Sequence, residues 1–573
     1  MTDRLLSRAL LVLVILTLGV VFHRLLLGEV FFWGLPSLQF YPWREFAFDM
    51  LRSGQLPLWN PYNGAGAPLI ANYQSALFYP LSWLGLLLPL AWAMSVTVVL
   101  HLFIAAWGMW VFTGRLGLPG LGRGVSALAF GLTSYLVARL GTYPTVTAAA
   151  WLPWILWAAL GVLTEKRLRH VGWLALLTGL QLLAGHAQTA WYSLLLVGVF
   201  ALFWVVRQRS RDGWLRLGMV TAGMLLGVGI AAAQLLPTME LLRTSQRSAG
   251  VDFDFAMNFS YGPARALNWV SPNVFGNPGD GTYLTEGAFF EDAVYIGLLP
   301  LISALAAIVG WIMRRFRKSL DPLPAGWTIP FWMGIGGVAF VLALGKYTPV
   351  FPFLFEHVPT FDLFQAPVRW HLWTVFALSV LAGIGTRSWG RGHWLFFGTR
   401  LAVAGGIGAA LLAWFAALVL LSALDDAEAA LALDVLRRAV VLTGLLGAGA
   451  GILTLLQPDP QHRRYPSWAL GVLVFVAVDL GWAGQGLNPT VPAAFYDRSA
   501  APESGEGRAY WPEEAERAVE FDTYLPFDDY RVAVENWPAF RQSQLPNLNL
   551  LDRWPLLNNF DPLRVGPFAR YIR

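Results

Sequence analysis

Glu45 and Asp49 stand four residues apart in the run YPWREFAFDMLR, so a helix there carries both carboxylates on one face, flanked by Arg44 and Arg52. Such a pair serves local ion pairing on a solvated face, or it supplies a general base that takes the proton of a sugar hydroxyl. The stretch SGQLPLWNPYNGAG follows, with Trp59, Asn60 and Tyr62, and then Gln74. Amides and aromatic faces of this kind line carbohydrate sites; a tight structural loop has the same composition. In GHAQTAWY, His186 and Gln188 sit in a short hairpin between two apolar runs with Tyr192 one turn on. They read as structural hydrogen-bonding groups or as contacts to a pyrophosphate or sugar.

Two further segments carry charge next to apolar runs. The first holds Arg265, Asn273, Glu291 and Asp292, and the last two abut the start of an apolar run. Carboxylates so near hydrocarbon need a partner or a function; helix capping with dipole pairing is the structural alternative. The same segment contains Asp252-Phe253-Asp254, which superficially matches a metal-binding DxD and is weak by itself. The second, FDLFQAPVRWHLW, puts Arg369 at the mouth of the next apolar run, where a guanidinium grips phosphate or snorkels to the interface. Together these groups describe an outward-facing pocket ringed by Trp, with cations for a lipid phosphate. Motifs of the P-loop, HExxH and GxSxG types do not occur.

What positions these residues is a membrane scaffold. The 573 residues are 56% hydrophobic and only 13% charged, about half the usual share for a soluble chain. Mean hydropathy is +0.53. The 28 Trp suit bands at the two membrane interfaces, and the lack of Cys excludes disulfides, thiolate metal sites and Cys nucleophiles. A net charge of +5 spread over short connections is no nucleic-acid footprint. At about 20 residues per span, roughly thirteen helices are expected. They lie near Leu6–Leu27 (read as an uncleaved first helix), Trp92–Phe112, Val125–Leu140, Val146–Leu163, Val171–Ala184, Trp191–Val206, Leu217–Leu236, Val294–Met313, Ile329–Leu344, Leu372–Ile384, Ala402–Leu421, Val440–Leu456 and Leu470–Trp482.

Half of the 40 Lys and Arg fall on the N-terminus and on alternate short connections, so the positive-inside rule predicts the N-terminus inside and the C-terminus outside. Residues 1–484 are then a multi-span domain with outer loops at 28–90, 237–293 and 345–369. Residues 485–573 form a short extracytoplasmic segment, in which Asp528–Trp537 reads as a strand and the chain stops as though a soluble domain were cut short.

The first outer loop, FYPWREFAFDMLRSGQLPLWNPYNGAGAPLIANYQSALFYPL, resembles that of the bacterial YfhO family of membrane proteins. GHAQ with Tyr192, QLLPTMELLRTSQR, SPNVFG, Tyr295–Gly297, FDLFQAPVRW and the tail NLNLLDRWPLLNNFDPLRVGPFARY match later landmarks in the same order. That family is similar to GT-C glycosyltransferases, multi-span enzymes that use polyprenyl-phosphate sugars. The resemblance implies a GT-C-like bundle in the bacterial inner membrane, acting on a cell-envelope polymer or lipid acceptor and needing no organic cofactor, with a divalent metal left open. It also implies a catalytic carboxylate shortly before Tyr41-Pro42-Trp43, usually as Gly-Asp, where this chain reads Gly34-Leu35. Glu45 or Asp49 substitutes, another loop supplies the base, or the chain is a degenerate lipid-binding or scaffold protein. A transporter would need charge at midspan and paired broken helices, and the polar residues here sit at helix ends instead.

Overall fold

The structure, a computed structural model, describes residues 2–248, 250–314, 316, 323, 325–389, 427–459, 461–499, 507–566 and 568. The expected span Ala402–Leu421 lies outside the described residues. Among the described residues nine helices are long and apolar enough to cross a membrane: Asp3–Val21, Leu90–Arg115, Tyr143–Glu165, Ala187–Gln208, Arg211–Ile230, Gly326–Ala343, Pro367–Gly385, Ala429–Leu455 and Tyr465–Ala483. A further apolar helix, Leu298–Met313, is shorter. The chain is a polytopic helical membrane protein.

Burial sorts these helices into layers. Tyr143–Glu165 and Pro367–Gly385 are 83% and 89% buried and form the centre. Asp3–Val21, Arg211–Ile230 and Ala429–Leu455 are each 22% buried, leaving bare apolar faces that suit hydrocarbon. The centre packs through small residues, which let backbones approach where lipid gives no hydrophobic drive to association. A Cβ on Gly383 would stand 2.5 Å from the carbonyl oxygen of Gly122, and one on Gly385 would stand 1.8 Å from that of Ser303. Beside these crossings Trp332 stacks on Phe200 at 5.6 Å and tilts against Phe376 at 5.6 Å.

The expected spans Leu6–Leu27 and Leu217–Leu236 are interrupted at Phe22 and Ala231, and a third is broken near its middle. Instead of a continuous helix over Val125–Leu140, the chain forms Gly120–Gly131 and then Ser134–Val137. Thr133 caps the second piece, and both its hydroxyl and the Ser134 N–H donate to the Tyr295 carbonyl at 2.9 Å. The Tyr295 hydroxyl in turn donates to Asp479 at 2.9 Å, and the same carboxylate accepts from the Leu298 N–H at 3.0 Å. Three distant segments are thereby tied at one point.

The tail and the first long loop share a single core. Glu29–Phe31 pairs antiparallel with Thr490–Pro492, in the register Val30 opposite Val491. Val30, Phe32 and Leu38 pack with Phe495, Phe540 and Leu548. Gln39 donates to the Phe560 carbonyl at 2.8 Å and Trp43 to Asp561 at 2.9 Å. The strand expected over Asp528–Trp537 is instead two short helices, Arg531–Glu535 and Trp537–Gln542. Its apolar run Val532-Ala533-Val534 is too brief to recruit a partner strand. The Asp529 carboxylate accepts from the Arg531 N–H at 3.0 Å, and Asn536 donates to the Val532 carbonyl at 2.9 Å, so both ends are satisfied locally.

Candidate functional site

Where the long loops and the tail meet the helix ends, two chambers adjoin. One, of about 410 Å³, is walled by aromatics from three separate segments: Trp33 lies 6.3 Å from Phe290, 5.7 Å from Phe527 and 4.2 Å from Tyr530. The other, of about 530 Å³, is polar and lined by Gln74, Thr145, His186, Arg247 and Arg564, with acidic residues from the tail. Leu35, Arg369, Glu520 and Phe560 line both, so they mark the seam. Gly34 turns the chain at φ +74°, a conformation glycine adopts without strain, just before Leu35 reaches that seam.

Arg369 is held from all sides. Its Nε and Nη2 donate to one oxygen of Glu291 at 3.0 and 2.5 Å, its Nη1 donates to Gln188 at 3.1 Å, and its carbonyl accepts from the Tyr135 hydroxyl at 3.1 Å. Gln188 is fixed by donating to the Gln365 carbonyl at 2.7 Å. The second oxygen of Glu291 accepts from Arg139 at 3.1 Å, and Arg139 also donates to the Glu291 carbonyl at 2.7 Å. Burial pushes the Glu291 carboxyl up, but the Arg369 and Arg139 guanidiniums outweigh it and hold it at about 2.

The polar chamber contrasts with this satisfied triad. Among the described residues Arg247 and Arg564 line it without an ion-pair partner. Burial lowers the Arg247 pKa, and the Arg564 and Arg369 guanidiniums lower it further. Cations that repel one another around a void make a seat for an anion. Three helix N-termini add to it: Thr142 precedes the span Tyr143–Glu165 and Pro144 and Thr145 lie in its first turn, His186 caps Ala187–Gln208, and Arg369 lies in the first turn of Pro367–Gly385. Burial, with Arg369 nearby, lowers His186 to about 3, so it is neutral. Its Nδ1 accepts from the Thr189 N–H at 3.2 Å, which leaves Nε2–H as the donor it can offer.

The structure thus brings Gln74, His186, Gln188, Glu291 and Arg369 together. Other sequence candidates lie elsewhere. Glu45 and Asp49 line neither chamber; Arg553 binds them at 2.9 Å each, and Arg498 binds Glu45 at 2.8 Å and also reaches Asp49. These pairs clamp the tail onto the helix Tyr41–Arg52, so Arg553→Ala should cost about 1 kcal/mol and speed limited proteolysis of the tail. Trp59 and Asn60 pair with Ala67 and Pro68 in a small hairpin, where Asn60 accepts from the Tyr62 N–H at 3.0 Å. Tyr62 packs edge-on to Phe46. Arg265 is bound to Asp292 at 3.0 Å and donates to Tyr283 at 2.8 Å. Burial raises Asp292 to about 6 even against that guanidinium. Asn273 lies outside both chambers with its Oδ1 buried and unpartnered. Asp252 caps the short helix Phe253–Met257 through the Asp254 and Phe255 N–H groups.

Sequence reasoning passed over Arg139, which reads as the polar end of an apolar run, and Glu520, Asp561 and Arg564 in the tail. A signal for Glu520 exists: Glu513, Glu516 and Glu520 recur at helical spacing in EEAERAVE.

No family model and no curated protein matches the chain. Among solved structures it is similar to ArnT from Cupriavidus metallidurans bound to undecaprenyl phosphate, at 15% identity and a TM-score of 0.42, with 92% of this chain and 84% of that chain covered. The apo state of the same protein matches at 15% identity over the same shares, with a TM-score of 0.38.

Proposed function

We propose that this protein is a GT-C-type membrane glycosyltransferase of the bacterial inner membrane that moves a sugar from a polyprenyl-phosphate donor to a cell-envelope acceptor on the outer face. The observation that carries the reading is the seam: an aromatic chamber meets a polar one where unpaired Arg247 and Arg564 and three helix N-termini converge. In this reading the first prenyl units lie against Trp33 and Phe290, and the phosphate sits on Arg247 and Arg564. Arg369, anchored by Glu291 and Gln188, fixes the shape of the seat. His186 Nε2–H and Gln74 face the sugar and acceptor, and the exposed Trp59 offers the acceptor an aromatic face. The basic short connections support an N-terminus inside and a C-terminus outside. The resemblance of the first loop and later landmarks to the YfhO family supports the same reading.

A second reading, a lipid-binding member without turnover, is favoured by Leu35. It occupies the place where the resemblance calls for an acid, and it lines both chambers.

The test uses purified protein in nanodiscs with a radiolabelled polyprenyl-phosphate hexose. Arg247→Ala and Arg564→Ala should each weaken lipid binding roughly 10- to 100-fold, the worth of a charge-assisted hydrogen bond. Binding without transfer across sugars and acceptors supports the second reading. Full-strength binding by the double variant sinks the phosphate seat.

A further inference from the structure

We propose that Glu520, supplied by the tail, is the general base of the transfer and stands at the seam in place of the carboxylate that Leu35 lacks. This assignment rests on the transferase reading above.

The helix Glu513–Arg517 continues into a π-helical turn, Ala518–Tyr524, a geometry concentrated at functional sites. Its spacing lays Glu513, Glu516 and Glu520 along the polar chamber. Of these Glu520 alone also lines the apolar chamber, as Leu35 and Arg369 do. It is 3% exposed, and its Oε1 has no hydrogen-bond partner among the described residues. A buried carboxyl oxygen without a partner is costly and calls for a reason.

The neighbouring carboxylates are committed elsewhere. Glu516 accepts from Asn558 at 2.5 Å, Asp561 accepts from Trp43 at 2.9 Å, and Glu291 is saturated by two guanidiniums. Glu513 is exposed to solvent. Glu520 therefore lines the junction between the proposed phosphate seat and the sugar chamber with a carboxyl whose buried Oε1 has no partner among the described residues.

In the step, the acceptor hydroxyl gives its proton to the Glu520 carboxylate while its oxygen bonds to the anomeric carbon. The bond from that carbon to the phosphate oxygen breaks with its electron pair. Polyprenyl phosphate is left on Arg247 and Arg564, and Glu520 returns the proton to water through the polar chamber.

Burial, reinforced by Glu516, pushes the Glu520 carboxyl up to about 8, which makes its ionised form a stronger base than an ordinary carboxylate. Glu513, Glu516 and Arg517 face the chamber from its own helix. His186 and Arg369 face it from helix starts, and Arg247, Asp561 and Arg564 from loops and tail. Turnover should accordingly rise with pH through about 8.

Wild type and Glu520→Gln are compared in nanodiscs with labelled polyprenyl-phosphate hexose from neutral to alkaline pH, with lipid binding measured separately. The expected result is a loss of turnover of about 10²–10⁴-fold in Glu520→Gln. Lipid binding and thermal stability should be undiminished, the alkaline rise should disappear, and formate should partly rescue Glu520→Ala. Glu520→Gln turning over within a few-fold of wild type, with the rise intact, overturns the assignment and leaves the transferase reading standing. Wild type that binds the lipid and transfers no sugar overturns the transferase reading and this assignment with it.

Discussion

Replacing Glu291 with Ala is expected to lower the stability of the folded protein by about 3–5 kcal/mol, the usual cost of stranding a buried charge. Here the carboxylate is shared by two guanidiniums, so its removal leaves both Arg139 and Arg369 without an anion in a site where their side chains are 1% and 17% exposed. The adjacent carboxylate of Asp292 is bound to Arg265 and does not take its place. Glu291→Gln keeps the shape and one acceptor oxygen and should fall between wild type and Glu291→Ala. The pH dependence follows from the direction of the shift. A carboxyl held at about 2 contributes stability that is complete above its ordinary value of 4.5 and is lost as pH falls through about 2. Glu520 acts oppositely: a carboxyl raised to about 8 leaves stability whole below 4.5 and erodes it as pH rises through 8. Apparent melting temperatures of purified protein in detergent, taken across pH, read both. Glu291→Ala melting with wild type would remove the triad from any role in stability.

Gly385→Leu should abolish folding. The new Cβ would meet the Ser303 carbonyl oxygen at 1.8 Å and its carbon at 2.6 Å, and both are backbone atoms that cannot rotate away. The helices His371–Gly385 and Leu298–Met313 must then separate, and ordinary overpacking already costs 1–3 kcal/mol where side chains can yield. Since Pro367–Gly385 is the most buried span among the described residues and its first turn carries Arg369, the seam goes with it. Gly198→Ala is the contrast. Nothing lies within 4 Å of its added Cβ, and it sits inside the helix Ala187–Gln208. Helix propensity there favours Ala by about 1 kcal/mol. The yield of monodisperse protein by size-exclusion chromatography separates the two, and a monodisperse Gly385→Leu would show that this crossing tolerates separation.

Much of the scaffold was legible because membrane spans are written in composition. Long apolar runs must be helical where no water satisfies the backbone, and this held at Leu90–Arg115 as at Tyr465–Ala483. The break after Gly131 was not legible, since it depends on the Tyr295 carbonyl, more than 150 residues away, accepting from Ser134. Asp528–Trp537 misled because so short a run carries no information about whether a partner strand exists.

The sequence by itself determined that the chain spans a membrane and which residue types stand between its apolar runs. Charge density and apolar run length are local properties, and burial in lipid leaves them little choice. Only the tertiary structure decided how the charges divide. Glu45, Asp49, Arg265 and Asp292 are bound in ion pairs outside both chambers, Arg369 is neutralised at the seam, and Arg247, Arg564 and Glu520 line a void without an ion-pair partner among the described residues. Pairing is set by which distant segments meet, and Glu520 meets Leu35 only because the tail and the first loop fold into one core.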